Sequence, residues 1–185
     1  MGRLPREKFV VPALVGHAYE DSPMPLSQGQ TISQPYIVAV MAQLLELTGV
    51  ERVLEIGAGS GYGAAVLSLL AKEVVAVERI GELLAGAKER WKALGLTNIQ
   101  GVEGDGTLGW PELAPFDAIS VTAAAPNLPM PLFEQLHQSH GRMVIPMGPR
   151  WCQNLSLVRR KNSATPLVEK QFPCVFVPLL GEEGW

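Results

Sequence analysis

Val53-Leu54-Glu55-Ile56-Gly57-Ala58-Gly59-Ser60-Gly61-Tyr62 decides the fold of this chain. An apolar strand runs into a glycine-rich turn, and a helix follows. A second apolar strand, Val74-Val75-Ala76-Val77, ends on Glu78, 21 residues beyond Gly57. The pattern predicts a βαβ nucleoside-binding unit with an acid placed for ribose hydroxyls. The glycine spacing narrows the ligand. A dinucleotide site wants G-x-G-x-x-G, so that a pyrophosphate can sit on a helix N-terminus. Here the run is G-x-G-x-G, with Glu55 two residues ahead of it. A carboxylate beside the turn suits a cationic ligand better than a diphosphate. S-adenosyl-L-methionine carries a sulfonium and an ammonium and has no phosphate, so methyl transfer is the first reading.

Outward from that unit the chain alternates strands and helices. A helix is predicted over Pro35–Thr48, closed by Gly49 as its C-cap. Strands are expected at Arg52–Ile56, Glu73–Val77, Ile99–Val102, Asp117–Val121 and Arg142–Pro146. Helices are expected from the glycine turn to about Lys72, over Gly81–Leu94 and over Pro131–His137. Asn154–Lys161 and Val168–Val177 read as two strands with no helix between, hence an antiparallel pair. The fold class is α/β: an open, twisted, mostly parallel sheet with helices on both faces and an antiparallel C-terminal pair. In such sheets the ligand lies beyond the carboxyl ends of the strands. The glycine turn, Glu78, Asp105 and Thr122 all fall there.

At 185 residues the chain is expected to form a single domain spanning 1–185, with an irregular substrate-side segment over 1–34 that holds Pro5, Pro12, Pro23 and Pro25. A net charge of −3 without a basic block gives no charge-based case for nucleic-acid binding. No apolar run approaches the roughly 18 residues of a membrane span, and the start lacks a signal-peptide core. Cys152 and Cys174 lack metal-ligand spacing and read as reduced cytoplasmic thiols. His137 and His140 flank a loop with no acidic or cysteine partner at suitable spacing, so no metal site is expected.

Gly29-Gln30-Thr31-Ile32-Ser33-Gln34-Pro35-Tyr36 is the more specific signature. With Leu54–Tyr62, Gly104-Asp105-Gly106, Phe116-Asp117-Ala118-Ile119 and Val121–Pro126, the chain closely resembles the protein-L-isoaspartate O-methyltransferase family, from Pro5-Arg6-Glu7-Lys8-Phe9-Val10 to Phe176-Val177-Pro178-Leu179. The glycine turn alone would indicate only the broad, Rossmann-like class I methyltransferases. The family usually carries a further N-terminal helical stretch before the Pro5 run. This chain nearly starts there, which implies that the stretch is missing.

The resemblance implies a cofactor set of Glu55, Gly57, Ala58, Gly59, Ser60, Glu78, Arg79, Asp105, Gly106 and Thr122, with Asp105 beside the adenine. It implies that Thr31, Ile32 and Ser33 meet the substrate, and that Ser33 belongs to the active site. The plainer reading of that stretch is a helix start, with Thr31 and Gln34 as a capping pair ahead of Pro35. The implied substrates are age-damaged proteins and peptides containing L-isoaspartyl residues, methylated on the free α-carboxylate by a monomeric cytoplasmic repair enzyme. A small-molecule O- or N-methyltransferase, or a non-catalytic binding module on the same fold, is the alternative.

Overall fold

A computed structural model of the chain describes residues 2–185. Nine strands and four α-helices are laid down in order: β1 Met24–Pro25, β2 Thr31–Ile32, α1 Pro35–Leu44, β3 Arg52–Ile56, α2 Tyr62–Ser68, β4 Glu73–Glu78, α3 Gly81–Ala93, β5 Ile99–Glu103, β6 Ala118–Val121, α4 Met130–Glu134, β7 Arg142–Met147, β8 Gln153–Arg159 and β9 Leu167–Cys174. β1 and β2 form a small antiparallel pair. The other seven make one sheet in the order β5-β4-β3-β6-β7-β8-β9. β5 through β7 pair in parallel. β8 and β9 add antiparallel, as the helix-free spacing of the last two strands led us to expect.

The strand order reverses between β3 and β6, and this reversal positions the site. Ile56 is level with Val77 on one side and Val121 on the other. The chain therefore leaves β3 at Gly57 directly beside Thr122. Alternate residues of the strands face opposite ways. Val53 and Val74 join Met41 of α1, Ala65 of α2 and Trp91 of α3 in one core. Leu54 and Val75 join Phe133 of α4 in another.

Three helices end earlier than their periodicity predicts, and the cause is shared. α1 stops at Leu44, not Thr48, and Glu46 rather than Gly49 takes the first left-handed position (φ 47°). There Arg142 donates to the carbonyls of Leu45 and Glu46, while the Glu51 carboxylate accepts from the N–H groups of Thr48, Gly49 and Val50. α2 stops at Ser68, whose carbonyl takes a bond from Asn98 Nδ2 at 2.9 Å. α4 stops at Glu134, where Arg160 Nη1 holds the carbonyls of Glu134 and Leu136. Distant side chains satisfy carbonyls that a longer helix would have paired.

The first 34 residues are more ordered than expected. Short 3₁₀ turns span Arg6–Lys8, Pro12–His17 and Ser27–Gly29. Leu4, Phe9, Ala18, Met24 and Ile32 are buried in the α1–α3 core. No helix among the described residues is long and apolar enough to cross a membrane.

Candidate active site

The glycine turn needs glycine for reasons that its neighbours supply. Gly57 sits at φ 88°, and a Cβ there would lie 2.6 Å from Thr122 Oγ1. Thr122 Oγ1 bonds back to the carbonyls of Ile56 (3.0 Å) and Gly57 (2.7 Å). Gly61, at φ 85°, lies against Trp91, whose Nε1–H donates to the Gly61 carbonyl at 2.8 Å. The turn is thus clamped by β6 on one side and α3 on the other.

Glu78, at the end of β4, braces the same turn. It is 6% exposed. Its Oε2 accepts from the Gly59 N–H at 2.9 Å, and its Oε1 from the Ile80 N–H at 3.0 Å. Each oxygen keeps a further lone pair for a ligand. Beside it opens a cleft lined by Ile56, Gly57, Gly59, Val77, Glu78, Arg79, Ile80, Gly106 and Thr122. Gln30 and Thr31 close one side and Val177–Leu180 the other. A mostly apolar cleft with a buried acid at its floor, at the carboxyl ends of the strands, is the form of a nucleoside site.

A second chamber, about 370 Å³, adjoins it across the glycine turn. Thr31, Ile32, Ser33, Glu55, Ala58, Ser60, Tyr62 and Gly63 line it, and it shares Thr31, Gly57, Gly59 and Thr122 with the cleft. Glu55 is 1% exposed and its Oε2 has no hydrogen-bond partner. Burial pushes its carboxyl well above the usual carboxylate range, against the pull of the Ala64 N–H; the nearby charge of Glu78 adds to the push. A buried acceptor without a partner, facing a cavity, is a place for a cationic group. The chemistry of this donor set fits S-adenosyl-L-methionine: Glu55 toward the ammonium, Glu78 toward the ribose.

The capping reading of Thr31 does not hold. Thr31 and Ile32 form β2, paired with Pro25 and Met24. Gln34 occupies the N-cap of α1 without a side-chain bond, and Asp21 Oδ1 instead takes the Tyr36 N–H at 2.9 Å.

Asp105 stands beside the cleft, between Gly104 and Gly106 at the end of β5. It lies in a neighbouring hollow with Arg79 and Gly181. Oδ1 accepts from Thr107 N–H (2.9 Å) and Oγ1–H (2.7 Å), and Oδ2 from the Glu182 N–H (2.8 Å). These bonds tie the side chain to the C-terminal segment, and Oδ2 keeps a further lone pair. Burial alone would raise its carboxyl, but the bonds from Glu182 and Thr107 hold it below the usual range. Gly106 does reach the cleft, where a Cβ would meet Ile56 Cγ2 at 2.5 Å.

At the far end of the sheet, His137 and His140 stack with ring centroids 3.7 Å apart. His140 Nε2 lies 2.8 Å from Asp117 Oδ1, an acidic partner that sequence spacing did not reveal. Reading by sequence also missed Arg6, which is buried and bonded to the carbonyl of Ser33. Its only signal was its place in the Pro5–Val10 run.

The family model for protein-L-isoaspartate(D-aspartate) O-methyltransferase matches residues 1–184. The chain is 54% identical over 186 aligned residues to protein-L-isoaspartate O-methyltransferase 2 of Pelobacter propionicus, covering all of this chain and 82% of the relative. It is 50% identical to the protein-L-isoaspartate O-methyltransferase of Methanoculleus marisnigri, covering all of this chain and 83% of that one. Among solved structures, a protein-L-isoaspartate O-methyltransferase superposes with a TM-score of 0.85 at 31% identity, over 97% of this chain and 59% of its own. A Plasmodium falciparum protein, described as an isoaspartate O-methyltransferase and bound to S-adenosyl-L-homocysteine, superposes with a TM-score of 0.79 at 25% identity, over 96% of this chain and 87% of its own.

Proposed function

The chain belongs to the protein-L-isoaspartate(D-aspartate) O-methyltransferase family, and on that premise we propose that it methylates the free α-carboxylate of L-isoaspartyl residues in damaged proteins and peptides. The observation that carries the reading is the shared wall: the nucleoside cleft and the Ser33 chamber meet across Thr31, Gly57, Gly59 and Thr122. A donor seated in one is thereby presented to an acceptor in the other.

S-adenosyl-L-methionine, when bound, supplies a methyl on a sulfonium whose leaving group is a neutral thioether. The acceptor is a carboxylate, ionised at pH 7 because such groups titrate near ~3.5–4. No residue has to remove a proton, which is consistent with a chamber lined by Ser33, Thr31 and Thr122 and lacking histidine or cysteine. The chain's work is alignment and exclusion of water. Ser33 holds the acceptor carboxylate with a neutral hydroxyl, which steadies it without quenching its nucleophilicity as a full positive charge would. Glu78 would hold the ribose and Glu55 the ammonium, which would grip the donor from both sides of the glycine turn. Asp105, placed beside the cleft for the adenine, also ties down the segment after Val177 that walls it. The ester then closes to a succinimide without further help, and part of that hydrolyses to normal aspartate.

The whole chain works as one domain in this reading, as a monomer in the cytoplasm. The free thiols Cys152 and Cys174 support that compartment. The test is a pair of peptides differing only at one isoaspartyl or aspartyl linkage, incubated with labelled S-adenosyl-L-methionine and scored for base-released methanol. Equal methylation of both peptides, or a base-stable N-methyl product, would overturn the assignment in favour of a small-molecule methyltransferase.

A further inference from the structure

Arg6 is 1% exposed, yet no carboxylate among the described residues lies within ion-pair reach of it. Its guanidinium meets three separate parts of the chain. Nε donates to the Ala18 carbonyl at 2.8 Å, Nη2 donates to the Ser33 carbonyl at 2.9 Å, and Cζ stands 4.6 Å over the centre of the Tyr62 ring. Nη1 has no partner. The charge of Asp21 favours the Arg6 cation but makes no ion pair with it, and Asp21 Oδ1 accepts from the Tyr36 N–H. Burying a cation without a counter-anion is costly, and an apolar side chain of similar volume would serve the core at least as well. Packing therefore does not account for this residue.

Its contacts offer an account. Ser33 and Tyr62 both line the acceptor chamber, one from the segment before α1 and one as the first residue of α2 after the glycine turn. Arg6 touches both. We infer that Arg6 is a positioning residue for methyl transfer, setting the distance between the Ser33 loop and the glycine turn and so the line along which the acceptor oxygen meets the methyl. The inference rests on the functional reading above. A planar fork suits this bridge, since separate nitrogens reach the Ala18 and Ser33 carbonyls while the plane lies over Tyr62, a geometry that a lysine ammonium on a flexible stem does not hold. None of the groups that grip the nucleoside, such as Glu78, Ile80 or Gly106, touches Arg6. Its loss should therefore fall on the acceptor side alone.

The experiment compares wild type with Arg6→Lys, Arg6→Gln and, as a control for loosening of the same segment, Tyr19→Phe, which removes the bond from Tyr19 to Glu7. Turnover and KM for an isoaspartyl peptide, the Kd for S-adenosyl-L-homocysteine and the melting temperature are measured for each. A misplacement near 1 Å costs on the order of 100-fold in rate, so both Arg6 variants should lose about 10- to 100-fold in kcat/KM per folded molecule. Their Kd for S-adenosyl-L-homocysteine should stay within about threefold, and Tyr19→Phe should keep wild-type turnover. Added to Ser33→Ala, the Arg6→Lys change should cost little more, because it acts through Ser33. The inference is overturned by full turnover in the Arg6 variants, by cofactor affinity falling in step with turnover, or by losses that multiply with those of Ser33→Ala. Failure of both Arg6 variants to fold, even in the cold, would assign Arg6 to the core and overturn it equally. A wild-type protein inactive on the isoaspartyl peptide is a separate result, which removes the functional reading and this inference with it.

Discussion

Glu78→Gln is the substitution that separates the two roles of the acid at the cleft floor. In the folded chain its two oxygens each accept one backbone N–H, from Gly59 at 2.9 Å and from Ile80 at 3.0 Å. Glutamine keeps the shape but has one oxygen. Its NH₂ must then face either Gly59 or Ile80, where donor meets donor. One charge-assisted bond is lost, and a buried donor is left without an acceptor, which costs about 1.5–3 kcal/mol. For a chain of this length, each kcal/mol moves the melting temperature by roughly 2–4 °C, so the unliganded variant should melt about 3–12 °C lower. The cofactor suffers separately. Two ribose hydroxyls lose a charged acceptor, worth about 1–3 kcal/mol, or roughly 5- to 150-fold in Kd. The assay is calorimetric titration with S-adenosyl-L-homocysteine alongside thermal melts with and without it. The ligand-induced rise in melting temperature should shrink, since it scales with the logarithm of ligand concentration over Kd. A lower melting temperature with unchanged Kd would leave Glu78 as a brace for the turn and refute its contact with the ribose. Wild-type values for both would refute the whole account of this residue.

Other perturbations address the remaining groups. Ser33→Ala should melt close to wild type, because the Ser33 side chain caps nothing in α1, while its turnover on an isoaspartyl peptide falls by about 10- to 100-fold with cofactor affinity preserved; normal turnover per folded molecule would remove Ser33 from the reaction. The aspartyl twin of that peptide should be a poor substrate, with the difference read mainly in the rate of transfer, since both carboxylates are ionised and only geometry distinguishes them. Asp105→Ala should destabilise the chain at neutral pH. Because the Asp105 carboxyl is held below its ordinary range, that stabilisation is complete above about pH 4 and fades as pH falls through the lowered value. Denaturant titrations of wild type and variant should therefore converge in acid, and a gap that persists there would contradict the bonds to Glu182 and Thr107. Glu55 is raised by burial, so a cationic ligand that ionises it should release a proton. Calorimetry of S-adenosyl-L-methionine binding in buffers of different ionisation enthalpy should show that release wherever the raised carboxyl is still protonated in the free protein, with affinity increasing as pH rises through that range, and Glu55→Gln should abolish it.

The parts of this fold that follow short-range rules were readable. Alternation in Val53–Ile56 and Val74–Val77, the glycine spacing and the acid after the second strand are all local, and they placed β3, β4 and Glu78 correctly. Helix ends were not local. Arg142, Asn98 and Arg160 reach α1, α2 and α4 from far along the chain, and nothing near Thr48, Lys72 or His137 announces them. Asp105 shows the same limit at the site. An Asp between two glycines announces a turn, but not its bond to Glu182, 77 residues away. Thr31 was misread as a cap because its partners in β1 lie across a loop that contains a left-handed Gln28 (φ 57°).

Charge was the least legible property. Arg and Glu are almost never fully buried without a partner, so Arg6 and Glu55 would ordinarily be assigned to solvent or to an ion pair. In this chain both are 1% exposed, both carry an unpartnered polar atom, and they are not bonded to each other. Stability alone would replace each with an apolar residue. Both meet the chamber that also holds Ser33, one beneath its serine wall and one in its lining. Glu55 faces the proposed ammonium directly, whereas Arg6 stands behind the wall and acts through the Ser33 carbonyl. Costly groups gathered around a single chamber, while the sheet on either side of it obeys every local rule, mark where folding has been subordinated to chemistry.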